Sequence, residues 1–80
     1  MTKDELRAAL QAVPLGRRLA VLFALRDDLR QRDVADRIGC SESHLSLIVA
    51  GRRNPDAPTR KAIARVIGLA VGDLFGGAAA

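Results

Sequence analysis

Eighty residues suffice for one small domain, which buries only roughly 60% of the surface its unfolded chain exposes, so modest stability and help from a second subunit are expected. Apolar residues make up 49% of the chain, mostly Ala, Leu, Val and Ile with two Phe and no Trp or Tyr, which argues for short helices and against a β-sandwich or barrel. The net charge of +4 is concentrated in residues 30–65, where eight basic side chains face four acidic ones; this fits a polyanionic partner or, equally, a solvated basic surface.

In chain order, Thr2 and Glu5 have capping-box spacing, and Leu6, Leu10 and Val13 recur at helical intervals. They predict a helix over 3–12, ended near Pro14 because the residue before proline avoids the α region. A second helix is predicted over 15–28. Its centre, Leu19 to Leu25, is apolar nearly all round and requires cover on more than one side. Gln31 to Ile38 forms a short helix with Val34, Ala35 and Ile38 inward, closed by Gly39 in a left-handed position. Ser41 is an N-cap for a helix over 42–50 that ends at Gly51. Residues 52–57, with Asn54-Pro55, read as a loop. Pro58 suits the first turn of a helix over 58–67 that stops at Gly68, and a last helical turn over 71–75 buries Leu74 and Phe75. Residues 1–75 therefore read as one all-α domain, with 76–80 as a frayed tail.

The informative segment is Gln31 to Ile48. Two helices crossing steeply need a small residue at the contact, supplied by Ala35, and a tight turn, supplied by Gly39; Leu45 and Ile48 then pack the second helix back. Small residue, glycine and apolar pair at these offsets make a helix-turn-helix pattern with its core at 31–50. On Gln31, Val34, Ala35, Ile38, Gly39, Ser41, Leu45, Ile48 and Gly51 the chain resembles the Cro/repressor (XRE-type) helix-turn-helix family. The resemblance continues through Asn54-Pro55, Ile67-Gly68 and Val71 to Phe75. It implies a compact five- to six-helix, lambda-repressor-like bundle, here with an N-terminal helical extension, and binding of double-stranded DNA. Two positions depart from the family pattern. Val49 stands where a glutamate often pairs with an arginine of the long helix, and Arg30 stands where a Ser or Thr cap is usual. Packed aliphatic groups can replace a buried ion pair without loss, so the first change leaves the fold intact.

At about 100° per residue, the 42–50 helix turns Leu45, Ile48 and Val49 to the core and Ser43, Ser46, Leu47 and Ala50 outward. Expected base contacts are Glu42, Ser43, Ser46 and Leu47: Glu42 accepting from cytosine N4, Ser43 bonding several bases, Leu47 against a thymine methyl. Glu42 has a second reading as a helix-dipole partner, and Leu47 as an ordinary exposed leucine. Expected phosphate contacts are Gln31 and Arg32 at a helix N-terminus, Arg52 and Arg53 in the following loop, and His44 on the flank, for which a solvated position is the stronger reading. The family resemblance adds to the Gln31 assignment.

Cys40 reads as a small buried apolar residue. One Cys and one His make neither a metal set nor a nucleophile–base arrangement, so no enzyme, metal or cofactor is expected. A lone cysteine, no basic-then-apolar leader pattern and no run near the roughly 20 residues of a membrane span lead to the expectation of a cytoplasmic protein. The expected function is a sequence-specific transcriptional regulator, a repressor bound as a homodimer to a palindromic operator. Its dimer surface would use the apolar second helix, the N-terminal helix or Leu74-Phe75. Two alternatives stay open: an antitoxin or restriction-modification controller with a protein partner such as a toxin, and a protein-interaction module that keeps the fold without using DNA.

Overall fold

Thr2 opens the first helix with a capping box. Its hydroxyl accepts from the Glu5 N–H at 3.2 Å, and the Glu5 carboxylate accepts from the Thr2 N–H at 3.0 Å. In the computed structural model, which describes residues 2–76, this helix is α1 (Lys3–Gln11). A 3₁₀ turn (Leu15–Arg17), α2 (Arg18–Leu25), α3 (Gln31–Ile38), α4 (Glu42–Val49), α5 (Ala57–Ile67) and α6 (Val71–Phe75) follow. The described residues contain no strand. The chain is an all-helical bundle, as expected; the tail assigned to 76–80 lies, past Gly76, outside the described residues.

The second helix is shorter than its sequence pattern. Residues 15–17 form a 3₁₀ turn, and the α-helix ends at Leu25 where 15–28 was expected. The cause is local: Arg26 leaves the helical region (φ −109, ψ 89), and its guanidinium grips the Asp28 carboxylate with two bonds of 2.8 and 2.7 Å. That bend lets the Leu29 N–H donate to the Arg26 carbonyl (3.1 Å) and turns Leu29 back against the core. Helix α5 starts one residue earlier than expected. Asp56 accepts from the Thr59 N–H at 2.9 Å and so acts as its N-cap, leaving Pro58 as the second helical residue.

Each helix sends at least one side chain to a common core. Leu10, Leu22, Leu45, Ile63 and Leu74 have no exposed surface, and Val34 has almost none. Helix α3 packs on α4 and α5, α1 on α2 and α6, and α5 on α6. Within one chain the cover of the apolar α2 is partial. Leu19 and Leu22 are buried, Val21 and Phe23 half-buried, and Ala20, Ala24 and Leu25 exposed.

Polar ties hold α1 and α6 together. The Asp73 carboxylate accepts from Arg7 Nε (3.1 Å) and the Ala70 N–H (3.3 Å). Arg18 donates to the carbonyls of Val13 (2.9 Å) and Asp73 (3.0 Å). The N-terminal helix is therefore part of the core rather than an arm. Leu10→Ala should lower the unfolding free energy by about 2–5 kcal/mol in urea titration, a large part of a small domain's stability. Leu47→Ala, on an exposed leucine, should change it by less than about 0.5 kcal/mol. Equal losses would mean that α1 does not share the core.

Candidate nucleic-acid interface

Helix α3 begins without a side-chain cap, since Arg30 makes no capping bond, as its residue type led us to expect. Its first-turn N–H groups thus lack a side-chain acceptor, the local condition under which a helix start attracts anions. At the other end Gly39 is left-handed (φ 77, ψ 29). The Cys40 N–H donates to the Ala35 carbonyl (3.0 Å) and the Gly39 N–H to the Asp36 carbonyl (3.3 Å), a Schellman closure. Ala35 is buried beneath this turn. Ser41 Oγ then accepts from the His44 N–H at 3.0 Å and starts α4.

Helix α4 has two unlike faces. Leu45, Ile48 and Val49 are buried, whereas Glu42, Ser43, Ser46 and Leu47 are exposed, and Leu47 keeps 40% of its surface. Gln31, Glu42, Ser43, Ser46 and Leu47 line one shallow depression between the start of α3 and the outer face of α4. Every residue expected to meet bases thus lies together with one expected to meet phosphate. An adjoining depression adds Arg30, Arg32 and Asp33 to Gln31 and Glu42. Between the two, Arg32 Nε stands 3.9 Å from Glu42 Oε1, an exposed ion pair.

The other expected phosphate residues are placed less uniformly. His44 is half-buried and does not line the depression. Arg52 and Arg53 are exposed in the loop that leaves α4. The Arg52 N–H donates to the Leu47 carbonyl (2.9 Å) and the Gly51 N–H to the Ile48 carbonyl (3.1 Å), so this loop is anchored to the end of α4 by a second Schellman closure. Arg53 lines a different groove, with Leu15, Phe75 and Arg60. Cys40 is half-buried rather than buried, its thiol donating to the Ser41 carbonyl at 3.4 Å, because the turn keeps it near the surface.

Sequence reasoning missed three supports of this face. Arg60 donates to the Pro55 carbonyl (2.9 Å) and holds the far side of the arginine loop. Asp56 caps α5, and its spacing to Thr59 was a usable signal. The Arg32–Glu42 pair joins two helices and has no local signature. Hydrogen bonds from Thr59 hold the Asp56 carboxyl below its ordinary value, and the Arg26 guanidinium pulls the Asp28 carboxyl from 3.8 down to about 2. Among the described residues no group of three or more His, Cys, Asp or Glu could hold a metal, and no helix is long and apolar enough to cross a membrane.

A short helix, a glycine turn and a second helix with one face buried and one face open define a helix-turn-helix module. Comparison with known families agrees: residues 14–75 match the helix-turn-helix domain family, and the chain belongs to this family of XRE-like DNA-binding domains. No curated protein and no solved structure matches the chain significantly. Helix α1 lies before the matched segment, although Leu6 and Leu10 are core residues.

Two measurements test the glycine turns beside this face and the Arg26–Asp28 grip that ends α2. A Cβ at Gly39 would meet nothing within 4 Å, so Gly39→Ala should cost only the left-handed backbone penalty of roughly 1–2 kcal/mol. Gly51 is also left-handed (φ 78), and a Cβ there would lie 3.0 Å from the Gly16 carbonyl oxygen. Gly51→Ala should therefore cost more in thermal unfolding; an equal or smaller loss would contradict the contact with the 3₁₀ turn. For Asp28 the folded value lies below the ordinary one. Its ionised form thus stabilises the fold fully above pH 3.8, and this contribution is lost as the pH falls toward 2. Asp28→Asn should flatten that part of the acid limb in urea titrations at stepped pH. An unchanged acid limb would show that the Arg26 grip adds nothing to folding.

Proposed function

We propose that the chain is a sequence-specific transcriptional repressor that lays α4 in the DNA major groove and acts as a homodimer on a palindromic operator. One observation carries the reading. In a chain of this family, the face of α4 bearing Glu42, Ser43, Ser46 and Leu47 stays uncovered, beside the uncapped start of α3. Such a face can offer hydroxyl donors and acceptors, a carboxylate acceptor and an apolar contact for a thymine methyl to base edges. Gln31 and the α3 N–H groups on one side, and Arg52 and Arg53 on the other, supply the phosphate contacts that fix register. His44 joins them as a flank contact.

Geometry and composition support a dimer. Recognition helices of paired half-sites sit one DNA turn, about 34 Å, apart. The backbone of this chain measures 30 × 29 × 20 Å, so two copies side by side can reach that spacing. The exposed side of α2, with Ala20, Ala24 and Leu25, offers apolar surface for the contact. The exposed Arg52-Arg53 pair favours this reading over an interaction module that has dispensed with DNA.

Selection of duplexes from a random pool should enrich a two-fold symmetric site. Binding to it should weaken with salt, with a slope of about −0.9 per phosphate neutralised in a plot of log K against log salt. Arg52→Ala should weaken all duplexes alike and reduce that slope by about one, whereas Ser43→Ala should change preference at one or two positions. Enrichment of no site would overturn the proposal. An asymmetric site bound by one copy would overturn its dimeric part.

A further inference from the structure

Glu42 is an unusual residue to bring toward DNA. It is the only acidic side chain in the depression it shares with Gln31, Ser43, Ser46 and Leu47, and phosphate repels it. Arg32 is unusual in a complementary way. It occupies the second position of α3, where the helix dipole disfavours a cation, so stability of α3 gives no reason for it. The fold resolves both oddities by setting Arg32 Nε 3.9 Å from Glu42 Oε1, across the turn between the helices. Their side chains keep 76% and 56% of their exposure, so in water the pair is loose and contributes little. In a groove from which water is partly excluded the same pair strengthens, because the local dielectric falls.

Resting on the DNA-binding reading above, we propose that Arg32 acts as a positioning residue for Glu42 rather than as an independent phosphate anchor. It screens the carboxylate against the phosphates and aims it at an exocyclic amine in the major groove. A carboxylate can only accept, and the amines that donate there are cytosine N4 and adenine N6. The couple therefore sets one base-pair preference: Glu42 makes the contact, and Arg32 makes its approach to a polyanion tolerable. Without Arg32, Glu42 would face the phosphates uncompensated and lose its orientation.

The test is a double-mutant cycle on the full chain, using the duplex selected by the wild type and duplexes altered one base pair at a time. Glu42→Gln should move preference at one position toward adenine, which glutamine reads with two bonds. Arg32→Ala should reduce discrimination at that same position by about tenfold, the scale of one good base contact. Arg32→Lys should retain most of it, since a lysine still screens the carboxylate. In the Glu42→Gln background, Arg32→Ala should leave discrimination unchanged. Both side chains are exposed, so the variants should melt within a few degrees of the wild type. If Arg32→Ala weakens every duplex equally and by the same factor in both backgrounds, Arg32 is a phosphate anchor and the inference fails alone. If the wild type selects no duplex, the DNA-binding reading fails and takes this inference with it.

Discussion

The bond from the Cys40 N–H to the Ala35 carbonyl, made possible by the left-handed Gly39 between them, sets the direction in which α4 leaves α3. Turning the chain between Ile38 and Glu42 buries the small Ala35 at the contact of the two helices. It also requires a cap that starts the next helix at once, and Ser41 supplies it. With that direction set, the 100° spacing of α4 settles which residues are buried and which are open. Leu45 and Ile48 can reach the core only if Ser43, Ser46 and Leu47 point away from it.

A second theme is the use of half-buried arginines around a core with few aromatic residues. Arg7, Arg18, Arg26 and Arg60 each donate to a carboxylate or a backbone carbonyl; Arg7 and Arg18 reach α6 across the fold, while Arg26 and Arg60 brace their own turns. These planar guanidinium groups join carbonyls and carboxylates that a purely aliphatic core cannot satisfy. The basic composition therefore has two origins. Part of it is half-buried scaffolding, and part, including Arg30, Arg32, Arg52 and Arg53, stays exposed around the helix-turn-helix. The second part stands where its charge acts most directly on a polyanion.

The two arginines after α4 show how scaffold and surface meet. Gly51 is left-handed and a Cβ there would crowd the Gly16 carbonyl oxygen at 3.0 Å, which favours glycine, and Arg60 grips Pro55 at the other end of the loop. The loop is thus pinned at both ends while its arginines remain in solvent. The N-terminal helix, although outside the matched family segment, packs on α2 and α6 and adds Leu6 and Leu10 to the core.

Much of this organisation could be read from the chain before folding, and the reason is locality. Helix caps at Thr2 and Ser41, the left-handed glycines 39, 51 and 68, and the apolar spacing of Val34, Leu45 and Ile48 act within four or five residues, so sequence spacing carries them. The outer face of α4 was legible for the same reason. The early end of α2 was not: the apolar run stops at Leu25, where the observed helix ends, but no Gly or Pro follows to mark the stop made by the grip of Arg26 on Asp28. The partial cover of α2, the Arg7–Asp73–Arg18 ties, the contact of Gly51 with Gly16 and the approach of Arg32 to Glu42 were equally hidden. Each joins residues from different elements, and a partner chosen across space leaves no period or spacing in the chain. Local backbone chemistry therefore specified the helices and their faces, while packing in three dimensions chose which charges meet and which remain open to a ligand.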